Sequence, residues 1–551
     1  MRQAACLASK IKRRVSPMTS GLASIASRLV QSSPLRHGPF RIFYVGSIGT
    51  ALGYTMQATV AAWLMATLTP SALMVALVQS ASTAPSLLFG LAAGTLADII
   101  DRKKVIIATQ TLLLTATVLL GAAELAGIVG PMSLLALTFI IGCGFIFYMP
   151  AQQASINGFV SRAELPRAVA LGAVAMNLAR AIGPALAGAL AAWVGSGTAL
   201  LGSAVFFSLM LIAVRQWRNR ELALPGVPEK MFSGLLSGLR FARHSPAMRS
   251  LISRNLSFSV CASALWALLP VIARDQLSLG ASGYGLLSAG FGVGAVAGAL
   301  AIPRLLQRRS LNSIVVSGIF LWAAGTALIA ATRIPVIAVL GTCCAGMAWV
   351  AVLASLSAGT QSTAPAWVRA RAVAINLVAV QASLALGSAV WGALASATDT
   401  RIALAVSAVS MMLLYLMNRR TRVEMGTEAD VSPGAQLPDL AIAFEPLPDD
   451  GPVLIQIEYQ IPAEHRDNFL RAAHAAQRTR RRNGATSWRV FRDLGEEGRF
   501  VERFIIASWA EYVRLRQRMT IADRRLQQRV EEFQRPGVPI RISRLIGVDG
   551  D

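Results

Sequence analysis

Two ungapped stretches of the chain return at a constant distance of 204 residues, and this duplication restricts the fold more than any other feature. Gly94, Leu96 and Ala97 reappear as Gly298, Leu300 and Ala301. Over a second stretch Arg167-Ala-Val-Ala170, Val174-Ala175, Gly183 and Gly188-Ala-Leu-Ala191 reappear as Arg371-Ala-Val-Ala374, Val378-Ala379, Gly387 and Gly392-Ala-Leu-Ala395. Alanine-rich apolar helices produce scattered coincidences, but two separate blocks in one register indicate a duplicated unit.

Hydropathy supplies the contents of that unit, because a helix needs roughly 20 apolar residues to cross a ~30 Å hydrocarbon core. Twelve such runs are predicted, near 42–66, 73–97, 105–128, 132–156, 168–194, 198–217, 251–273, 281–303, 312–332, 335–358, 372–396 and 402–418. The repeat offset therefore holds six spans, with the second copying onto the eighth and the fifth onto the eleventh. An even number of spans makes the repeats parallel, related by an axis along the membrane normal. The expected fold class is an all-α membrane protein of twelve transmembrane helices in two parallel six-helix repeats, followed by a small α+β domain.

Charge placement is an independent check, since Lys and Arg collect in loops on the cytoplasmic side. The loop after span two carries Arg102, Lys103 and Lys104, and the loop after span eight carries Arg308 and Arg309. The odd-numbered connections hold only Arg274, Arg333 and Arg401. Both termini are accordingly expected in the cytoplasm of a bacterium, with the bundle in its inner membrane.

The net charge of +24 belongs to the membrane part: residues 1–422 carry 33 Lys or Arg against 8 Asp or Glu, and residues 423–551 carry 19 against 20. Topology explains the excess, with attraction to anionic membrane lipid as a second effect, and no nucleic-acid footprint remains. The 5 cysteines are too dispersed for a disulfide framework or a zinc site, and no metal or catalytic constellation stands out. No cofactor is expected. The basic, Ser-rich tail before about residue 40 lacks the apolar core of a secretory signal; Met18 is an alternative start.

The residues from Gly94 to Lys104 read Gly-Thr-Leu-Ala-Asp-Ile-Ile-Asp-Arg-Lys-Lys. They resemble the motif between spans two and three of the major facilitator superfamily, departing at Ile99 and at Asp101. The Asp-Arg variant is similar to a bacterial exporter subgroup, the transmembrane secretion effectors, which includes enterobactin and macrolide exporters. Met56-Gln57, Ala62-Trp63-Leu64, Met149-Pro-Ala-Gln-Gln153, Asn177-Leu-Ala-Arg-Ala-Ile-Gly-Pro184 and Gly283-Tyr-Gly-Leu286 fit the same subgroup. The resemblance runs from Leu35 through the tail domain. It implies a secondary transporter that exports an amphipathic small molecule, drug-like or siderophore-like, as a proton-coupled antiporter.

Physics assigns these motifs work of their own. Asp98 stands at the end of span two, where a carboxylate needs cations or a helix N-terminus; Arg102, Lys103 and Lys104 are nearest in sequence, and a partner on another helix is equally open. The resemblance makes the group Gly94, Asp98, Asp101, Arg102 and Lys103 a gate between the two halves; the plainer alternative is an interfacial acid among loop cations. Arg180 is the only charge near the middle of a span, so it must face a cavity or a partner. Asn177 shares its helical face, and Gly183-Pro184 follows within a turn. The second copy has Gln381, Leu384 and Ser388 in place of Asn177, Arg180 and Pro184. That asymmetry points to function in the first half, with a tie from Arg180 to backbone carbonyls as the structural alternative. By resemblance, the Gly-Pro pair seals the cavity against leak.

No Asp, Glu or His falls at the centre of any predicted span. Proton coupling therefore rests on the resemblance. In this fold, spans one, four, seven and ten line the cavity, which makes Gln57, Trp63, Tyr148, Gln152, Trp266 and Trp349, together with Gln381, the candidate substrate contacts. Interhelix packing is the competing role for each.

Beyond span twelve a Pro- and Asp-rich linker (423–451) leads to a domain (452–547) read as βαββαβ: a strand over 453–461, a helix over 463–482, strands over 486–494 and 500–509, one long helix over 510–533 and a strand over 540–546. It resembles antibiotic-biosynthesis monooxygenase domains, which pair sheets into dimers, so self-association through this domain is expected. No catalytic constellation accompanies the fold, and the chain is not expected to be an enzyme. The other expected segments are a tail (1–40), two six-helix halves (41–218 and 251–422) and a central loop (219–250). An importer of a small organic solute, or a membrane-anchored oxygenase or sensor acting through the tail domain, are the alternatives. Twelve spans with an internal repeat exceed what anchoring needs.

Overall fold

A computed structural model describes residues 34–161, 164–217, 231–365, 367–432, 444 and 446–547. Residues 1–33 of the expected tail, 219–230 of the expected central loop, and 433–443 and 445 of the expected linker lie outside these. The first half contains α1 (Gly38–Leu68), α2 (Ala72–Ile99), α3 (Arg102–Leu125), α4 (Pro131–Ser155), α5 (Leu165–Val194) and α6 (Ser196–Arg215). A short amphipathic helix, α7 (Met231–His244), precedes the second half, α8 (Pro246–Val271), α9 (Ala281–Arg308), α10 (Leu311–Ala331), α11 (Pro335–Thr363), α12 (Arg369–Ala397) and α13 (Thr400–Asn418). Of these, 11 are long and apolar enough to cross a membrane. The 31-residue α1 is long enough but falls outside that set, its run diluted by Gly, Thr, Tyr and Gln.

Local chemistry marks the helix ends. Pro131, Pro246 and Pro335 occupy first turns, where a missing N–H costs nothing. Ser71, Asp101, Ser310 and Asp399 cap their helices. Expectation put the seventh span at 251; α8 starts five residues earlier, capped by Ser245.

The repeat is visible in three dimensions. Shifting the start of α5 by 204 residues lands on Arg369, the first residue of α12. The halves meet along two seams, α2 against α12 and α5 against α9, and exchanging the halves converts one seam into the other. The repeated glycines explain why the sequence was held in register. A Cβ on Gly188 would lie 2.7 Å from the Gly285 Cα of α9, and Gly392 is pressed equally against Ala76 of α2. Gly183 abuts Thr55 of α1, and its counterpart Gly387 abuts Ser263 of α8. Small residues let backbones approach where no hydrophobic drive between helices exists.

The bundle has a terminal face, where α1 begins and α13 ends, and a far face opposite it. Beyond α13 lie β1 (Val453–Gln460), α14 (Arg466–Asn483), β2 (Ser487–Arg492), β3 (Arg499–Ile506), α15 (Trp509–Arg518), α16 (Ile521–Glu531) and β4 (Arg541–Ile546). The antiparallel sheet has the order β2-β3-β1-β4, as the βαββαβ reading requires. The single long helix expected over 510–533 is in fact two, because Thr520 and Asp523 form a capping box that starts α16 afresh.

This domain docks on the second half. Arg518 lies 4.3 Å over the Trp367 ring in the α11–α12 connection, and Arg240 of α7 donates to the Gly484 carbonyl at 3.3 Å. Glu511 accepts from Arg518 at 2.7 Å and Arg514 at 2.9 Å and faces Arg240 at 3.8 Å. Burial raises the Glu511 pKa, but the two arginines outweigh it and hold the carboxyl below the usual range. A depressed pKa contributes stability above the unfolded value of about 4.3 and loses it as pH falls through the folded value. Glu511→Gln is expected to cost about 3 kcal/mol, lowering the unfolding midpoint of the C-terminal domain by several degrees at pH 7. Calorimetry should show that gap closing below about pH 4.

Candidate functional site

The α5 helix places Arg180 by simple geometry, since successive residues turn about 100°. Val174, Leu178, Ile182 and Leu186 are exposed and share one stripe. Arg180 lies on the opposite side of the helix. On one flank, Ala179 and Gly183 meet Thr55 of α1; on the other, Ala181 and Gly188 meet Gly292 and Gly285 of α9. The side chain therefore points between the two halves, and it is exposed there. Asn177, half-buried, stands on the same side.

Around Arg180 the first half presents an aromatic wall. Tyr54 of α1 is within electrostatic reach of the guanidinium and faces Ser82 of α2. Phe145 of α4 stacks on Tyr54 with ring centroids 3.8 Å apart and planes within 9°. Four helices thus converge on one cation and one stacked aromatic pair. Leu384, at the repeat-related position, is buried, so the second half has no counterpart to the charge of Arg180 there. Among the described residues no group of three metal-ligating side chains gathers.

The far face of this space is closed by backbone groups that the first half cannot satisfy itself. Residue 70 is proline and has no N–H to offer the Ala66 carbonyl. The Thr69 carbonyl lies in extended backbone past the end of α1, outside either helix's ladder, and Leu73 N–H donates to the Ser396 hydroxyl of α12 at 2.8 Å. Both carbonyls are taken by Arg274, in the π-turn Ile272–Gln276 that ends α8. Its Nη1 donates to Thr69 at 2.9 Å and also to Ala66, while Asp275 holds Nη2 at 2.8 Å. Beside them Trp63 stacks on Tyr284 across the halves, centroids 6.0 Å apart. A cleft of about 960 Å³ opens outside this seal, bordered by Pro70, Ser71, Asp275, Ser396 and Asp399. Toward the terminal face the seam is looser: a Cβ on Gly90 would find only Val378, at 3.4 Å.

Arg274→Ala leaves two carbonyls to water and is expected to weaken the seal by about 1–3 kcal/mol. A cysteine at Tyr284 should then react with a membrane-impermeant maleimide roughly tenfold faster, 1.4 kcal/mol being a factor of ten. Unchanged labelling would place the seal in the glycine seams instead.

The sequence-predicted residues distribute as follows. Gly183 gives α1 and α5 their close approach, and Pro184 lies inside α5 three residues from the Ala181 contact with α9. Arg102 donates to the Ala154 carbonyl at 3.2 Å and Lys103 to the Trp217 carbonyl at 2.8 Å, both neutralising carbonyl ends within the first half. Asp101 caps α3, accepting from Lys103 N at 2.8 Å. Gly94 and Asp98 sit in the last turns of α2, and the Asp98 side chain lies outside the described residues.

Of the expected contacts, Trp63 and Gln381 cross the seam, Gln381 donating to Ser86 at 3.4 Å. Gln152 ties α4 to Ser47 of α1 at 3.2 Å. Gln57 continues the α1 face of Gly46, Gly49 and Gly53 that packs on α6, and is buried. Tyr148 is buried among Phe40, Phe43 and Met210. Trp266 and Trp349 belong to an aromatic cluster with Phe258, Phe291 and Trp322 inside the second half. Tyr54, Phe145 and Arg274 were not anticipated. Tyr54 precedes Gln57, and Phe145 precedes Tyr148, by three residues, about 60° around the helix, a difference that local sequence does not resolve into centre-facing and packing positions.

A family model described as transmembrane secretion effector matches residues 30–550. The multidrug efflux pump Tap of Mycolicibacterium fortuitum is 25% identical over 401 residues, covering 69% of this chain and 94% of that protein. Tap of Mycobacterium tuberculosis is 25% identical over 418 residues, covering 73% and 97%. Among solved structures, a bacterial homologue of the human lysosomal transporter Spinster in an inward-facing conformation aligns with a TM-score of 0.58 at 14% identity, covering 72% of this chain and all (100%) of the other. The nucleoside transporter NupG gives 0.55 at 15% identity, covering 70% and 98%.

Proposed function

We propose a function from one premise: the chain belongs to the transmembrane secretion effector family of the major facilitator superfamily, whose model spans residues 30–550. It is a multi-pass membrane transporter of small molecules. Its substrate is an amphipathic organic solute, exported from the cytoplasm across the bacterial inner membrane by secondary active transport. The terminal face is the cytoplasmic one, and the proton-motive force supplies the energy.

The observation that carries this reading is the placement of Arg180: a charge in mid-helix, turned between two halves whose far side is held shut by contacts from one half to the other. Rocking of the halves about the seams exposes that site to each side in turn. In this scheme Asp98, Gly94, Asp101, Arg102 and Lys103 form the inner gate, and Asn177, Arg180, Gly183 and Pro184 keep the central space from leaking. The basic residues of the terminal face attract anionic lipid. The C-terminal domain serves docking and self-association, its sheet presenting exposed Phe491 and Leu545 on the side away from its helices.

Efflux of amphipathic dyes and siderophores from expressing cells tests the reading. Export is expected to disappear with a protonophore and to fall at least tenfold in Asp98→Asn. Export unaffected by either would remove both the energy source and the gate.

A further inference from the structure

We propose that the central site selects organic anions that carry a flat apolar group, and that their export is driven by the electrical part of the membrane gradient. The inference rests on the export reading above and specifies its substrate class. Arg180 points away from the exposed stripe of α5, into the space between the halves. A guanidinium does not deprotonate in proteins, so the site is permanently positive. The acids that accompany it in the first half stand at helix ends: Glu164 is at the start of α5 and pairs with Arg36 and His37, Glu124 is in the last turn of α3 beside Gly197, and Asp98 and Asp101 are at the α2–α3 corner. Among the described residues no carboxylate forms an ion pair with Arg180. The natural partner of an exposed, unpaired guanidinium in a low-dielectric space is a carboxylate, sulfonate or phenolate, which it binds through two parallel donors. An arriving cation meets repulsion at the same point.

The rest of the ligand is described by the Tyr54–Phe145 stack, whose centroids are 3.8 Å apart. The pair packs on Leu113, Ile141 and Phe207 of the first half, and half-buried Tyr54 brings its apolar ring within electrostatic reach of the guanidinium, where an aryl or conjugated ring can lie against it. The site is thus complementary to an amphipathic anion, charge on Arg180 and ring against the aromatic wall.

This chemistry also accounts for an absence in the sequence. With no Asp, Glu or His at the centre of any predicted span, a proton has no carrier beside the substrate. A monovalent anion needs none: moving it out of a negative interior is downhill, and about 100 mV sustains a roughly fifty-fold outward gradient.

Three probes of matched size test both parts: dansyl-aminohexanoate, its carboxamide, and dansylcadaverine. The purified full chain is expected to bind the carboxylate about ten- to hundred-fold more tightly than the carboxamide, and dansylcadaverine more weakly still. Arg180→Gln should bring the carboxylate and carboxamide affinities together, and Arg180→Lys should restore the preference, as a purely structural role for the side chain would not. Inverted membrane vesicles given a valinomycin potassium potential, with no pH gradient, should accumulate the carboxylate when the interior is positive and not when it is negative. Equal or tighter binding of dansylcadaverine overturns the anion site. Uptake that follows a pH gradient and ignores the potential overturns the electrical drive. No uptake of any probe, alongside an intact carboxylate preference in binding, overturns the export reading and leaves the anion site supported.

Discussion

Gly188→Val is expected to abolish transport, by at least a hundred-fold, while the protein remains inserted and folded. The atoms that a Cβ would meet are the Ala281 carbonyl and the Gly285 Cα, each at 2.7 Å. From the other side, a Cβ on Gly285 would meet Gly188 Cα and Pro184 O, each at 2.9 Å. These are backbone atoms of two helices and cannot swing aside. The α5–α9 seam must widen, at a cost of about 3 kcal/mol for overpacking at such a contact, and the cost falls entirely on the conformation closed at the far face. Each half packs through other surfaces, α1 against α6 and α9 against α11 among them, so the halves stay folded. Efflux and far-face maleimide labelling of the same variant check the result: lost transport should accompany faster labelling. Gly90→Ala is the control, because its added methyl would touch only Val378 Cγ2 at 3.4 Å, and transport should change less than threefold.

Arg180→Ala should lose transport to a similar extent for a different reason. Here no seam is strained; the site loses its only fixed charge. A hydrogen-bonded ionic contact is worth about 1.5–3 kcal/mol in binding, and loss of charge also removes the barrier that keeps small cations out of the central space. Membrane insertion should survive, since removing a mid-span arginine lowers the cost of insertion by about 2.5 kcal/mol or more. Wild-type efflux in this variant, at equal protein level in the membrane, would sink the assignment of Arg180 to the transport path.

Much of the architecture was legible in the sequence because hydropathy and small-residue spacing are local properties. Gly183 and Gly188, with their copies Gly387 and Gly392, fell in the duplicated block because both seams and both α1-type contacts need the same close approach. The break between α15 and α16 was also readable: Thr520-Ile-Ala-Asp523 is a capping box, overlooked in favour of a continuous charged helix. The site was only half legible. Arg180 announced itself by cost, as a charge where charge is expensive. Its companions did not, because Tyr54 and Gln57 stand only about 60° apart around α1, and which neighbouring helix each one meets is a tertiary fact. Gln57 follows the glycine face into α6, Tyr54 reaches the centre, and Trp266 and Trp349 join an aromatic cluster within one half. The Arg274 latch depends on pairing the carbonyls left open at the end of α1 with a residue some two hundred positions away, which no local pattern contains.

The central claim is that the two halves exchange closure between faces. Electron–electron resonance on the full chain in liposomes measures it directly, with one label pair at Thr67 and Thr398 on the far face and another at Ile100 and Arg308 on the terminal face. Imposing the electrochemical gradient should lengthen the far pair by several ångströms as the terminal pair shortens. Distances that stay fixed at both faces, or change in the same direction, would contradict alternating access and leave the bundle a rigid membrane anchor.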